Sequence, residues 1–96
     1  MEYKFKAKVW IFTGPTPWHF ITLPKKTAVE IKAFHGSAAK NFGTIGVLAQ
    51  IGKTRWKTSV FSDTKSQSYV LPLKAEIRKK EKITVGKMVL VQLSVI

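Results

Sequence analysis

Residues 2–12, EYKFKAKVWIF, alternate with a period of two. Tyr3, Phe5, Ala7, Val9 and Ile11 fall on one face, and Glu2, Lys4, Lys6 and Lys8 on the other. Successive side chains of a strand point to opposite faces, so this pattern specifies a β-strand with one side on a core and the other in solvent. Trp10 and Phe12 then place aromatic rings on the polar face. The second half of the strand must be covered on both sides or bind something, and a helix lying over Trp10 and Phe12 is the expected cover.

Shorter signals divide the rest. TGPTP (13–17) is a loop, since neither proline suits a central strand, and WHFITL (18–23) is a second strand. Behind Pro24, KKTAVEIKAFHG (25–36) has Ala28, Ile31 and Phe34 at helical spacing and Gly36 where a C-terminal cap belongs. TIGVLAQI (44–51), the turn GKTR and WKTSVF (56–61) form a hairpin. SDTKS (62–66) is a loop, and QSYVL (67–71) a strand. PLKAEIRKKEKI holds one to three helical turns. KMVLVQLSVI (87–96) is apolar at nearly every position and reads as a closing strand buried on both faces. Six strands with one or two helices predict a mainly-β fold, a single domain over residues 1–96. The expected form is a small closed or nearly closed barrel with the 24–35 helix over one opening, since closure removes aggregation-prone edges. Its core should include Phe5, Val9, Ile11, Phe20, Ile31, Val47, Trp56, Val89, Val91 and Leu93.

Charge narrows the functional classes. Seventeen Lys and Arg against five Asp and Glu give a net charge of +12, more than solubility needs and enough to attract polyanions. Only Arg55 and Arg78 are arginines, so contact with a DNA or RNA backbone is expected in preference to bidentate reading of bases. Two groups stand out. Lys74, Arg78, Lys79, Lys80 and Lys82 crowd one insert, and on a helix Lys74, Arg78 and Lys82 would share a face. Lys4, Lys6 and Lys8 recur every 6.5–7 Å or so along a strand, a repeat that permits tracking of phosphates. Arg55, at the tip of the predicted hairpin, is a further contact residue. The bland alternative is that each group is simply a solvated surface.

Other chemistry is thin. The chain has no cysteine, which excludes disulfides and thiolate metal sites and fits a reducing, cytoplasmic setting. No apolar run reaches membrane-spanning length, so no membrane partner is expected. His19 and His35 lack a carboxylate pair beside them, and no metal or other cofactor is expected. Asp63 lies in a Ser/Thr loop where an Asx turn explains it. No catalytic motif appears, and an enzyme is not expected.

Trp18 and Phe20, Leu23-Pro24, Gly43, IGKTRWKTSVF (51–61), YVLPLKAEIRK (69–79), Gly86 and VLVQL (89–93), in that order, resemble an uncharacterised bacterial family of small double-split β-barrel domains. The resemblance covers nearly the whole chain. It implies the barrel but no known activity; some members carry an additional domain associated with bacteriocin protection. Members often have Asp after the late glycine, where this chain has Lys87, and Pro where it has Ser62. A role tied to that Asp does not carry over. Related barrels occur in dimeric transcription regulators and antitoxins, an analogy of fold alone. The expected function is therefore a non-enzymatic domain binding nucleic acid or other polyanions through a Lys-rich face. The alternative is a protein-interaction module, assembling with a partner or as a homo-oligomer.

Overall fold

The alternating strands close on themselves. A computed structural model describes residues 2–36 and 43–96. The elements are β1 (Glu2–Phe12), β2 (Trp18–Thr22), α1 (Lys25–His35), β3 (Ile45–Ile51), β4 (Thr54–Asp63), β5 (Ser68–Pro72), α2 (Ala75–Lys80) and β6 (Met88–Val95). The strands form a closed barrel in the order β1-β2-β5-β4-β3-β6, antiparallel throughout.

Two long strands each serve both halves of the barrel. β1 pairs with β6 over residues 2–8 and with β2 over residues 9–12. β4 pairs with β3 over residues 54–60 and with β5 over residues 61–63. The first sheet is thus the start of β1, β6, β3 and the start of β4; the second is the end of β1, β2, β5 and the end of β4. The inner faces meet in one core, where Val9, Ile21, Val47, Val60, Leu71, Val91 and Leu93 are fully buried.

The helices stopper the two mouths. α1 follows β2 and covers the mouth where β1 begins: Ala28 and Ile31 are buried, and His35 meets Tyr3 edge-on, ring centroids 6.4 Å apart. α2 follows β5 and covers the opposite mouth with Leu73, Ile77 and Ile83 buried. The inward stripe of α1 runs 28, 31, 35 rather than 28, 31, 34, so Phe34 is 63% exposed. Gly36 keeps right-handed helical geometry and makes no left-handed cap.

Ile11, Phe20 and Trp56 are only half-buried, unlike the other expected core residues. β6 is not buried on both faces. It alternates, with Val89, Val91 and Leu93 inside and Met88 and Leu90 outside, because a single-layered barrel offers its outer face nothing to pack against. Nor does a helix cover Phe12, which is exposed. Phe12 pairs with Trp18 at the end of the barrel where the β1–β2 loop lies, and α1 begins beyond the far end of β2.

The tight turn between β3 and β4 depends on Gly52, whose φ of +58° is left-handed and whose missing side chain leaves room for the Glu81 carboxylate. Glu81 in turn accepts a hydrogen bond from Thr54 Oγ1 at 2.6 Å, fastening the end of α2 to the hairpin. Gly52→Ala should cost about 1–2 kcal/mol from the left-handed backbone alone, measured by urea unfolding, with extra loss where the Thr54–Glu81 bond is displaced. An unchanged midpoint would show that the turn relaxes freely.

Candidate functional site

Strand register places the basic residues. On the outer face of the first sheet, Lys4 pairs with Gln92, Gln92 with Gln50, and Gln50 with Arg55, forming one row across four strands. The next row is Glu2, Ser94, Leu48 and Lys57. Lys6 and Lys8 continue up β1 opposite Leu90 and Met88. Lys4, Lys6, Lys8, Arg55 and Lys57 are all exposed on this face, with Glu2 the one acid among the paired positions. Three interstrand spacings separate Lys4 from Arg55, about 14 Å along the sheet, and Lys4 to Lys8 spans a similar length of β1. Arg55 Nε donates to Gln50 Oε1 at 3.1 Å, which holds the guanidinium along the row. The cations thus flank the face on its two outer strands, Lys4, Lys6 and Lys8 on β1 and Arg55 and Lys57 on β4, with Gln92, Gln50, Ser94 and Leu48 between them.

The insert at 74–82 is arranged differently. α2 ends at Lys80, and Lys82 has a φ of +52° in the turn beyond it. Lys74, Arg78 and Lys82 therefore do not share a helix face. Arg78 is half-buried and donates from Nε to the Leu73 carbonyl at 3.2 Å. Lys80 pairs with Glu76 at 3.8 Å, an exposed contact of little energetic weight. Lys74, Lys79 and Lys82 stay exposed around the α2 mouth, and the Lys82 carbonyl accepts a hydrogen bond from Lys87 Nζ at 3.2 Å. The insert carries its charge at the mouth, and its end borders the basic sheet face, where Glu81 and Lys87 line a groove with Gln50, Leu90 and Gln92.

A model of a domain family of unknown function, DUF1905, matches residues 5–93. The chain belongs to that family. A search of curated proteins finds no match to it. The match runs from β1 through β6, so the DUF1905 unit takes in the barrel, both helices and nearly all of the basic face.

Three of the five acids of this DUF1905 domain have structural partners. Asp63 Oδ2 accepts from the Ser66 hydroxyl at 2.7 Å and from its N–H at 3.3 Å, closing the loop three residues on where an Asx turn would close it two residues on. Glu76 and Glu81 hold Lys80 and Thr54. Glu81 lies just past the last residue of α2 and not on a helix surface. The histidines sit at opposite mouths: His35 on Tyr3, and His19 beside Arg78. His19 Nδ1 is shut off from solvent without a hydrogen-bond partner. Burial first, and the Arg78 guanidinium second, push the imidazole below its usual range. The unfolded chain then binds more protons than the native one once the pH falls below about 6.5, so stability drops on acidification through that window. His19→Gln should reduce the loss of urea stability between about pH 7.5 and 5.5; an equal loss in both proteins would contradict the assignment.

Lys57 escaped the sequence reading. Its signal was present in TRWKT, where Arg55 and Lys57 flank the inward Trp56 with period two. What the sequence lacked was the register that puts them in line with Lys4 and Glu2.

Proposed function

We propose that the domain is a non-enzymatic polyanion binder whose natural target is a nucleic-acid backbone, held on the outer face of the first sheet. The observation that carries this reading is the placing of Lys4, Lys6, Lys8, Arg55 and Lys57 on one exposed sheet face, with Glu2 the one acid among its paired positions and Glu81 at its border. Lysines act as point charges on phosphates and release condensed counterions when they bind, so affinity depends on salt and little on sequence. The exposed cations around α2 extend the field but are not its centre.

The exposed Phe12 and Trp18 favour one other reading, a module that pairs with a protein or with its own copy. Fluorescence anisotropy with labelled DNA and RNA at low salt tests the first reading. Binding that rising salt dissolves supports it, and no binding to either nucleic acid or to heparin overturns it. Among the described residues no helix is long and apolar enough to cross a membrane.

A further inference from the structure

The basic stripe of β1 runs into an aromatic surface. Beyond Lys8 the same outer face carries Trp10 and Phe12, each step about 6.5–7 Å along the strand. Across the pairing, Trp10 lies opposite Phe20 and Phe12 opposite Trp18. The Trp10 and Phe20 rings are 5.2 Å apart at 37°, and the Trp18 and Phe20 rings 6.2 Å apart at 12°, nearly parallel. Trp10 Nε1 donates to Thr22 Oγ1 at 2.8 Å, which fixes its indole. Phe61 joins from β4 to complete a groove with almost no polar atoms. Phe12 is 52% and Trp18 51% exposed. Neither helix contributes to the groove.

Charge borders this patch at two places. Lys8 precedes Trp10 on β1. On the other side, Phe20 pairs with Pro72, and the Leu73 N–H donates to the His19 carbonyl at 2.9 Å, so the register sets the exposed Lys74 opposite Trp18. Apolar, polarizable rings rimmed by ammonium groups complement a ligand whose flat faces are apolar and whose backbone is anionic. Duplex DNA hides its base faces; an unpaired strand offers them.

We infer that the ligand is a single strand, its phosphates on the Lys4–Lys6–Lys8 stripe and its unpaired bases stacked on Trp18, Phe12 and Phe20. This rests on the polyanion-binding reading of the neighbouring face. The patch supplies what the lysines lack, a preference between polyanions of equal charge.

The test compares four probes at one low salt concentration: a single-stranded oligothymidylate, its duplex, an abasic phosphodiester of the same length, and heparin. Tryptophan fluorescence and anisotropy are both read. The expected result is tightest binding to the single strand with tryptophan quenching. Trp18→Ala should weaken that complex about 5- to 150-fold, the range for losing one stacked base, and leave heparin binding unchanged. Trp18→Leu, which keeps the site apolar without a π face, should behave like the alanine variant, and unchanged circular dichroism shows that both remain folded. Equal affinity for the abasic and base-bearing strands, without quenching, overturns the stacking inference and leaves the basic face standing. No binding to any probe overturns both. A concentration-dependent dimer that Trp18→Ala dissociates, with no preference for bases, assigns the patch to a second copy and also overturns the inference.

Discussion

Leu93→Ala is expected to destabilise the domain by about 3–5 kcal/mol, while Leu90→Ala on the same strand costs about 1 kcal/mol or less. Leu93 is fully buried, paired with Tyr3 on one side and Ala49 on the other inside the barrel. Strand neighbours on both flanks keep the walls from collapsing into the space it leaves, so the cavity persists. Leu90 is 44% exposed beside Lys6 and loses only the contact of its covered half. A domain of this size is stable by about 5–15 kcal/mol, so the first change is severe and the second is minor. At about 4–8 °C per kcal/mol the two melting temperatures should differ by about 8 °C or more. Equal losses would mean that β6 is out of register by one residue, since a one-residue slip exchanges the faces of every side chain.

The contrast also shows which parts of the fold were legible in the sequence. β1 was legible because its alternation is polar against apolar, and the hairpin of β3 and β4 because Gly52 marks the turn. β6 misled because Met88, Val89, Leu90 and Val91 are apolar on both sides of the pleat. Hydropathy cannot say which face is inside when neither is polar. Only closure of the barrel, a property of all six strands together, settles that Val89 and Val91 point inward. The same limit hid the aromatic patch. Trp10 and Phe12 asked for a cover, but whether α1 reaches them depends on which end of β2 it leaves from. In the candidate site, Lys4, Lys6 and Lys8 were visible as a stripe. Their alignment with Arg55 and Lys57 was not, because pairing between strands far apart in sequence carries no local mark. The 74–82 insert looked like one helix face because its spacing is helical, but the backbone leaves the helix before Lys82.

Changing Lys4, Lys6 and Lys8 to Glu is expected to abolish nucleic-acid binding. Each reversal lowers the net charge by two, so the chain keeps a net positive charge, and a loss of binding would not follow from bulk charge alone. The matching control reverses Lys25, Lys26 and Lys32, all exposed on α1. That variant has the same net charge and should retain most of the affinity, because α1 contributes no residue to the outer face of the sheet. A third variant reverses Lys74, Lys79 and Lys82 around the α2 mouth and should fall between the two. If it loses more than the β1 variant, the grip lies on the insert. Exposed charges contribute little to folding, so all three should unfold close to the native midpoint.

The most direct measurement is the salt dependence of binding for the native protein and for a neutral variant with Lys4, Lys6 and Lys8 replaced by Gln. Five phosphate contacts from the basic face predict a slope of log affinity against log salt near −3.5 on single strands and −4.5 or so on duplex. The Gln variant should flatten it by about 2.1 on single strands and about 2.7 on duplex. A native slope near zero, or identical slopes for the two proteins, would contradict the claim that this face grips a nucleic-acid backbone.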